Sequence, residues 1–154
     1  MSETLAPRLA TDADEAAIVA CVRAAYAPYL LRMDREPAPM TDDYAARIAA
    51  GRVQVLDGGD GIDAVLVFWP EGGDLFLENI AVAPAAQGQG IGRRLLLWLE
   101  DEARARGLEA ITLYTNAVMT ENLAFYARLG FVETDRRRDA GYDRVFVRKP
   151  VAPL

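Results

Sequence analysis

The sequence predicts an α/β protein of the α+β type, with elements in the order strand, two helices, three strands, helix, strand, helix, two strands. Three observations carry that expectation. β-rich runs over 53–56, 62–69 and 75–82 are separated only by turn clusters, which reads as a meander. The strongest amphipathic pattern, 91–106, lies between strand-like runs. Two further β-rich runs close the chain as a hairpin. No internal repeat interrupts this order, and 154 residues suit one domain over 1–154.

Each element has its own local cause. Leu5 and Leu9 alternate with polar or small residues as a short first strand. Thr11-Asp12 caps a helix over 15–26, in which Ala16, Val19, Val22 and Tyr26 recur at helical spacing. Residues 27–40 contain Pro28, Pro37 and Pro39 and so do not form a regular helix throughout. Thr41 is expected to cap a shorter helix through Ala50, ended by Gly51. Asp57-Gly58-Gly59-Asp60-Gly61 turns the first two meander strands, and 70–74 turns the chain into the third, which Pro84 breaks. On 91–106, Ile91, Leu95, Trp98, Leu99 and Ala103 share one face, while Arg94, Asp101 and Arg104 lie on others. Gly107 stops that helix. A strand over 110–115, a helix over 120–129 stopped by Gly130, and a hairpin of 131–137 with 142–148 complete the chain.

Composition removes several kinds of chemistry. There is no histidine and a single cysteine, Cys21, so intramolecular disulfides, Ser-His and Cys-His nucleophilic systems and His/Cys zinc sites are excluded. A general base must then be Asp, Glu, Tyr, Lys or water, and no metal is expected. Cys21 lies beside Ile18 and Val22 and reads as a small buried apolar residue. A net charge of −6 opposes nonspecific nucleic-acid binding and favours cationic partners. Arg136-Arg137-Arg138, flanked by Asp135 and Asp139, reads as a solvated edge. Met1-Ser2-Glu3-Thr4 shows no basic leader, and the apolar run 64–69 is too short for a bilayer, so a cytoplasmic, non-membrane protein is expected.

The segment Gln87-Gly88-Gln89-Gly90-Ile91-Gly92 joins a strand to a helix start, so successive N–H groups converge where the helix dipole favours an anion. Arg93 and Arg94 add positive charge in the first turn. Pyrophosphate is the natural ligand, and a tight strand-to-helix connection is the plainer alternative. Gly88, Gly90 and Arg93 do not complete the dinucleotide pattern, and no G-K-[ST] follows. The segment resembles the GNAT superfamily of N-acetyltransferases, whose Q/R-x-x-G-x-G/A signature is met by Gln87, Gly90 and Gly92. Asn122, Tyr126, Gly130 and Phe131 match the family's N-x-x-x-Y-x-x-x-G-F segment in the expected order. The resemblance spans nearly the whole chain and implies a mixed, mostly antiparallel central sheet flanked by helices.

What the resemblance implies about function is specific. Acetyl-CoA is the cosubstrate, its adenosine diphosphate held at Gln87, Gly88, Gln89, Gly90, Ile91, Gly92 and Arg93. Its pantetheine arm meets the backbone of Ile80, Ala81 and Val82, and Asn122, Phe125 and Tyr126 line the thiol end. Phe125 reads equally as core. Direct transfer in a ternary complex needs a neutral amine, whose ordinary pKa is about 10, and a stabilised thiolate, whose ordinary pKa is about 8.5. Tyr126 is implied as the proton donor to sulfur, a buried structural tyrosine being the alternative. Glu78, sharing a strand face with Phe76 and Ile80, is the candidate base; a structural carboxylate paired with an arginine or backbone N–H is the alternative. Acceptor candidates are Tyr29, Asp34, Arg35, Glu36 and Met40, the segment 138–142, and Tyr114, Asn116 and Met119. The expected partner is a small-molecule or peptide amine, with a homodimer left open. The rival reading is a noncatalytic CoA-binding or regulatory domain of the same fold.

Overall fold

A computed structural model describes residues 5–59 and 61–153. Met1–Thr4, on which the leader expectation rests, the turn residue Asp60 and Leu154 lie outside the described residues. The elements are β1 Arg8–Leu9, α1 Glu15–Tyr26, α2 Tyr44–Ala49, β2 Val53–Gly58, β3 Gly61–Glu71, β4 Asp74–Val82, α3 Ile91–Ala105, β5 Ala110–Asn116, α4 Thr120–Arg128, β6 Val132–Asp139 and β7 Tyr142–Pro150. This is the predicted order. The strands follow one another as β1-β2-β3-β4-β5-β7-β6 in a mixed, mostly antiparallel sheet. The chain divides into two compact units, Met1–Phe68 with Asn79–Trp98 and Trp69–Glu78 with Leu99–Leu154, and the boundaries fall inside β3, β4 and α3.

In the first unit β1 pairs antiparallel with β2, and β2 with β3, placing Val53 opposite Val67 and Val55 opposite Val65. β3 is buried without a break from Ala64 to Phe68, so it reads as a continuous apolar run rather than an alternating one. α1 buries Ile18, Cys21 and Val22. The predicted face through Ala16 is therefore rotated, because Ile18 and Val22 at i, i+4 carry more apolar surface than alanine. Burial pushes the Cys21 thiol up to about 11, and the charge of Asp63 adds to the shift.

The approach to α1 is held by charge. Arg8 Nη1 and Nη2 each meet Asp14 at 2.9 Å, and its Nε meets Asp57 Oδ2 at 2.6 Å. The Thr11 N–H donates to Asp14 Oδ2 at 2.8 Å. Both carboxyls are held below the usual range, chiefly by hydrogen bonds from Arg8. Thr11 thus opens the 3₁₀ turn Asp12–Asp14 that leads into α1. The start of α2 departs from expectation. Its cap is Asp43, which accepts from Ala46 N at 3.1 Å. Thr41 instead donates to the Ala38 carbonyl inside the 3₁₀ turn Ala38–Thr41, since Pro39 sets a tight turn that uses up the hydroxyl.

In the second unit β4 runs parallel to β5, and β5 and β6 flank β7 antiparallel. Leu75, Leu77, Ile111, Leu113, Val145 and Val147 are buried at every second position of their strands, each contributing about 1.5–3 kcal/mol relative to exposure. β6 is exposed along almost its whole length, with Arg136 on Glu133, Arg137 on Asp135 and over the Phe146 ring, and Arg138 on Asp143. It turns into β7 through Ala140 and Gly141, both left-handed at φ +52° and +83°. Asp139 pairs with Tyr142, so this is a two-residue turn of the kind that wants asparagine or glycine at its first position.

Candidate functional site

In the first unit the anion cradle is built from the end of β4 into α3. Gly88 and Gly90 stand at φ +81° and +76°, and an added Cβ at either meets no atom within 4 Å. Glycine is therefore required here by backbone conformation rather than by crowding. Arg94 N donates to the Gly90 carbonyl at 3.1 Å, so the N–H groups of Ile91, Gly92 and Arg93 precede the helix ladder. Ile91 is buried and anchors the turn, while Gly88, Gln89, Gly90 and Arg93 are exposed beside it. Gln87 ties the loop down. Its Nε2 donates to the Val82 carbonyl at 3.0 Å, which fastens the loop to the last residue of β4, and its backbone N–H donates to the Pro84 carbonyl at 3.3 Å. Of the pantetheine-contact candidates, Ala81 is buried, and Ile80 and Val82 are half-buried.

The second unit carries the thiol-end candidates. Asn122, Phe125 and Tyr126 share a face of α4 by their i, i+3, i+4 spacing. Tyr126 is buried, its ring edge-on to Phe125 at 5.4 Å and to Phe131 at 5.5 Å. This packing fixes the orientation of the ring. Asn122 Nδ2 donates to Met119 Sδ at 3.7 Å, as does Thr115 Oγ1. Asn116 Oδ1 accepts from Val118 N at 3.0 Å, which sets the turn into α4. Met119 and Met40 are buried. Arg23 holds the segment of Met40 and Glu36, reaching the Met40 carbonyl and Glu36 Oε1 at 3.5 Å each. Asp34 and Arg35 are exposed, and Tyr29 packs on Tyr26 at 6.3 Å under Arg32.

Glu78 is half-buried and shares its β4 face with Phe76. Phe76 stacks on Tyr114 at 5.8 Å, Tyr114 meets Phe146 at 5.7 Å, and the Arg144 guanidinium lies 4.0 Å over the Tyr114 ring while pairing with Asp139 at 2.8 Å. Sequence reading singles out Tyr114 but not Arg144, which is buried directly beside Val145 in β7. Among the described residues no cluster of three or more His, Cys, Asp or Glu is placed to hold a metal, and no helix is long and apolar enough to cross a membrane.

A family model described as the acetyltransferase (GNAT) family matches residues 13–131. The chain belongs to the GNAT acetyltransferase family. Within that family it is similar to the IAA acetyltransferase of Azospirillum brasilense, 40% identical over 83 residues, covering 53% of this chain and 54% of that protein. It is also similar to the ribosomal protein bS18-alanine N-acetyltransferase of Escherichia coli K12, 44% identical over 63 residues, or 41% of this chain and 43% of that one. The chain thus spans about half the length of the curated relatives it matches. The crystal structure of the PaiA N-acetyltransferase from Thermoplasma acidophilum in complex with coenzyme A shares the fold, with a TM-score of 0.78 at 14% identity over 94% of this chain and 98% of that one.

Proposed function

We propose that this chain is an acetyl-CoA-dependent N-acetyltransferase acting in the cytoplasm as one domain over 1–154, moving an acetyl group to a primary amine by direct transfer in a ternary complex. The observation that carries the reading is the pair of left-handed glycines, Gly88 and Gly90, opening α3 beside Arg93, with Gln87 tying the loop to β4. Residues Gln87 to Arg93 hold the pyrophosphate, Ile80, Ala81 and Val82 meet the pantetheine arm, and Asn122 and Phe125 line the thiol end. The cosubstrate supplies an activated acetyl thioester. As the amine nitrogen bonds to the acetyl carbon and the carbon–sulfur bond breaks, Tyr126 gives its proton to the departing sulfur. The proton lost by nitrogen goes to Glu78, directly or through water. The net charge of −6 attracts a cationic amine at long range.

The deciding experiment is release of CoA thiol from acetyl-CoA with a panel of amines, namely a peptide with an N-terminal alanine, free amino acids and a polyamine. Calorimetric binding of CoA accompanies it. Amine-dependent thiol release is the expected result. CoA binding without turnover on any amine would favour the noncatalytic alternative, and absence of CoA binding would remove both.

A further inference from the structure

β4 turns Leu75, Leu77, Asn79 and Ala81 to its buried side, so one amide occupies a register that is otherwise apolar, at 4% exposure. A leucine would suit that register, and burying an amide is tolerable only when its hydrogen bonds are made. Those of Asn79 are made to residues far away in the chain. The Tyr26 hydroxyl donates to Asn79 Oδ1 at 2.7 Å, and Asn79 Nδ2 donates to the Tyr44 hydroxyl at 3.1 Å. Tyr44 passes its own proton on to the Pro39 carbonyl at 2.5 Å. Each bond therefore has one direction. With its hydrogen committed to Pro39, Tyr44 accepts from the amide, and the amide oxygen accepts from Tyr26.

Tyr26 ends α1 and Tyr44 begins α2, with Pro39 in the 3₁₀ turn between them. Both ends of the 27–43 connection and its internal turn are thus fastened to one side chain of β4. The Tyr26 hydroxyl also lies 3.4 Å from the Ile80 carbonyl. We propose that Asn79 is a positioning residue of the transfer site, holding the 27–43 connection in place against the backbone of β4 at Ile80. The inference rests on the acetyltransferase reading, in which 27–40 helps to receive the amine. Asn79 points to the opposite face of β4 from Glu78 and Ile80, so it acts through the backbone and touches no substrate. A fully satisfied buried network of this kind selects one arrangement of the segments it joins, which packing by leucine does not.

The test uses Asn79→Leu, with Tyr26→Phe and Tyr44→Phe as deletions of single hydroxyls. Hydrogen exchange over 27–44, calorimetric CoA affinity, and kcat and KM for the N-terminal-alanine peptide, or for whichever panel amine turns over, are measured on each. Expected is a loss of exchange protection over 27–44 of about tenfold or more. The amine KM should rise by about tenfold while CoA affinity stays within about twofold. An amide that serves only stability would lower the melting temperature and leave KM and the exchange of 27–44 as in the parent protein, and that result would overturn the proposal. If Asn79→Leu does not fold, the two phenylalanine variants decide by the same criteria. A parent protein that turns over no amine defeats the acetyltransferase reading instead, and exchange over 27–44 still decides whether Asn79 fixes the connection.

Discussion

Replacing Gly90 with alanine separates backbone conformation from ligand contact. Gly90 sits at φ +76°, and a Cβ there meets no atom within 4 Å, so the substitution adds no clash in the free protein. Its whole effect is the left-handed strain of an L-residue, about 1–2 kcal/mol. That strain must appear in one of two measurements. If the loop keeps its conformation, the folded state carries the strain, and the melting temperature falls by roughly 2–8 °C with CoA affinity unchanged. If the free loop relaxes, the melting temperature holds, and the strain returns when CoA binds, weakening affinity by about 5- to 30-fold. Melting curves and calorimetric titration with CoA, run on one preparation, show how the fixed sum divides. Gly90→Glu adds a negative charge where phosphate must approach and should abolish binding. A folded Gly90→Glu variant with the parent's CoA affinity would remove the loop from the site. Parental stability together with parental affinity in Gly90→Ala would refute the conformational reasoning itself.

Further consequences can be checked on single variants. Tyr126→Phe should lower kcat by about 100-fold with little change in CoA affinity, and normal turnover would make the tyrosine structural. Glu78→Gln should slow transfer at neutral pH and recover as pH approaches the amine's own pKa, whereas an unaltered pH–rate profile would remove Glu78 from the mechanism. Asp14 and Asp57 titrate below their ordinary range, so their pairing with Arg8 stabilises the fold above about pH 4 and is lost as pH falls through their depressed values. Arg8→Met should flatten that acid limb in melting curves, and an unchanged limb would show the pairing to be energetically idle. Ala140→Asn, at φ +52° in the two-residue turn, should raise stability by about 1 kcal/mol, while a lower melting temperature would contradict the turn assignment.

Much of the fold was legible because its punctuation is local. Gly51, Gly107 and Gly130 end helices, Pro84 breaks β4, and the alternation of Leu75, Leu77, Ile111 and Leu113 needs no partner to be recognised. The start of α2 was not legible, since Thr41 and Asp43 are both good caps and only the turn set by Pro39 chooses between them. Nor does alanine at 140 announce a left-handed residue. In the site, Gly88 and Gly90 were legible because their conformation is what glycine permits. The side-chain partner of Gln87, a carbonyl of the preceding strand, has no signal in the sequence. Asn79 is visible as a polar residue in an apolar register, but its partners Tyr26 and Tyr44 lie 53 and 35 residues away, and no local pattern names them.

The lone thiol of this chain bears on how transfer can be followed. Cys21 is 6% exposed with its pKa pushed up to about 11, so at pH 8 only about one molecule in a thousand carries the reactive thiolate, and that one is shielded. A disulfide dye added to a working reaction therefore colours with the CoA set free and not with the protein, and no cysteine-free variant is needed for a continuous readout. The same silence makes the residue a gauge of opening. A slow second rise in colour, one equivalent per chain and independent of acetyl-CoA, counts the molecules in which α1 has come away from its core.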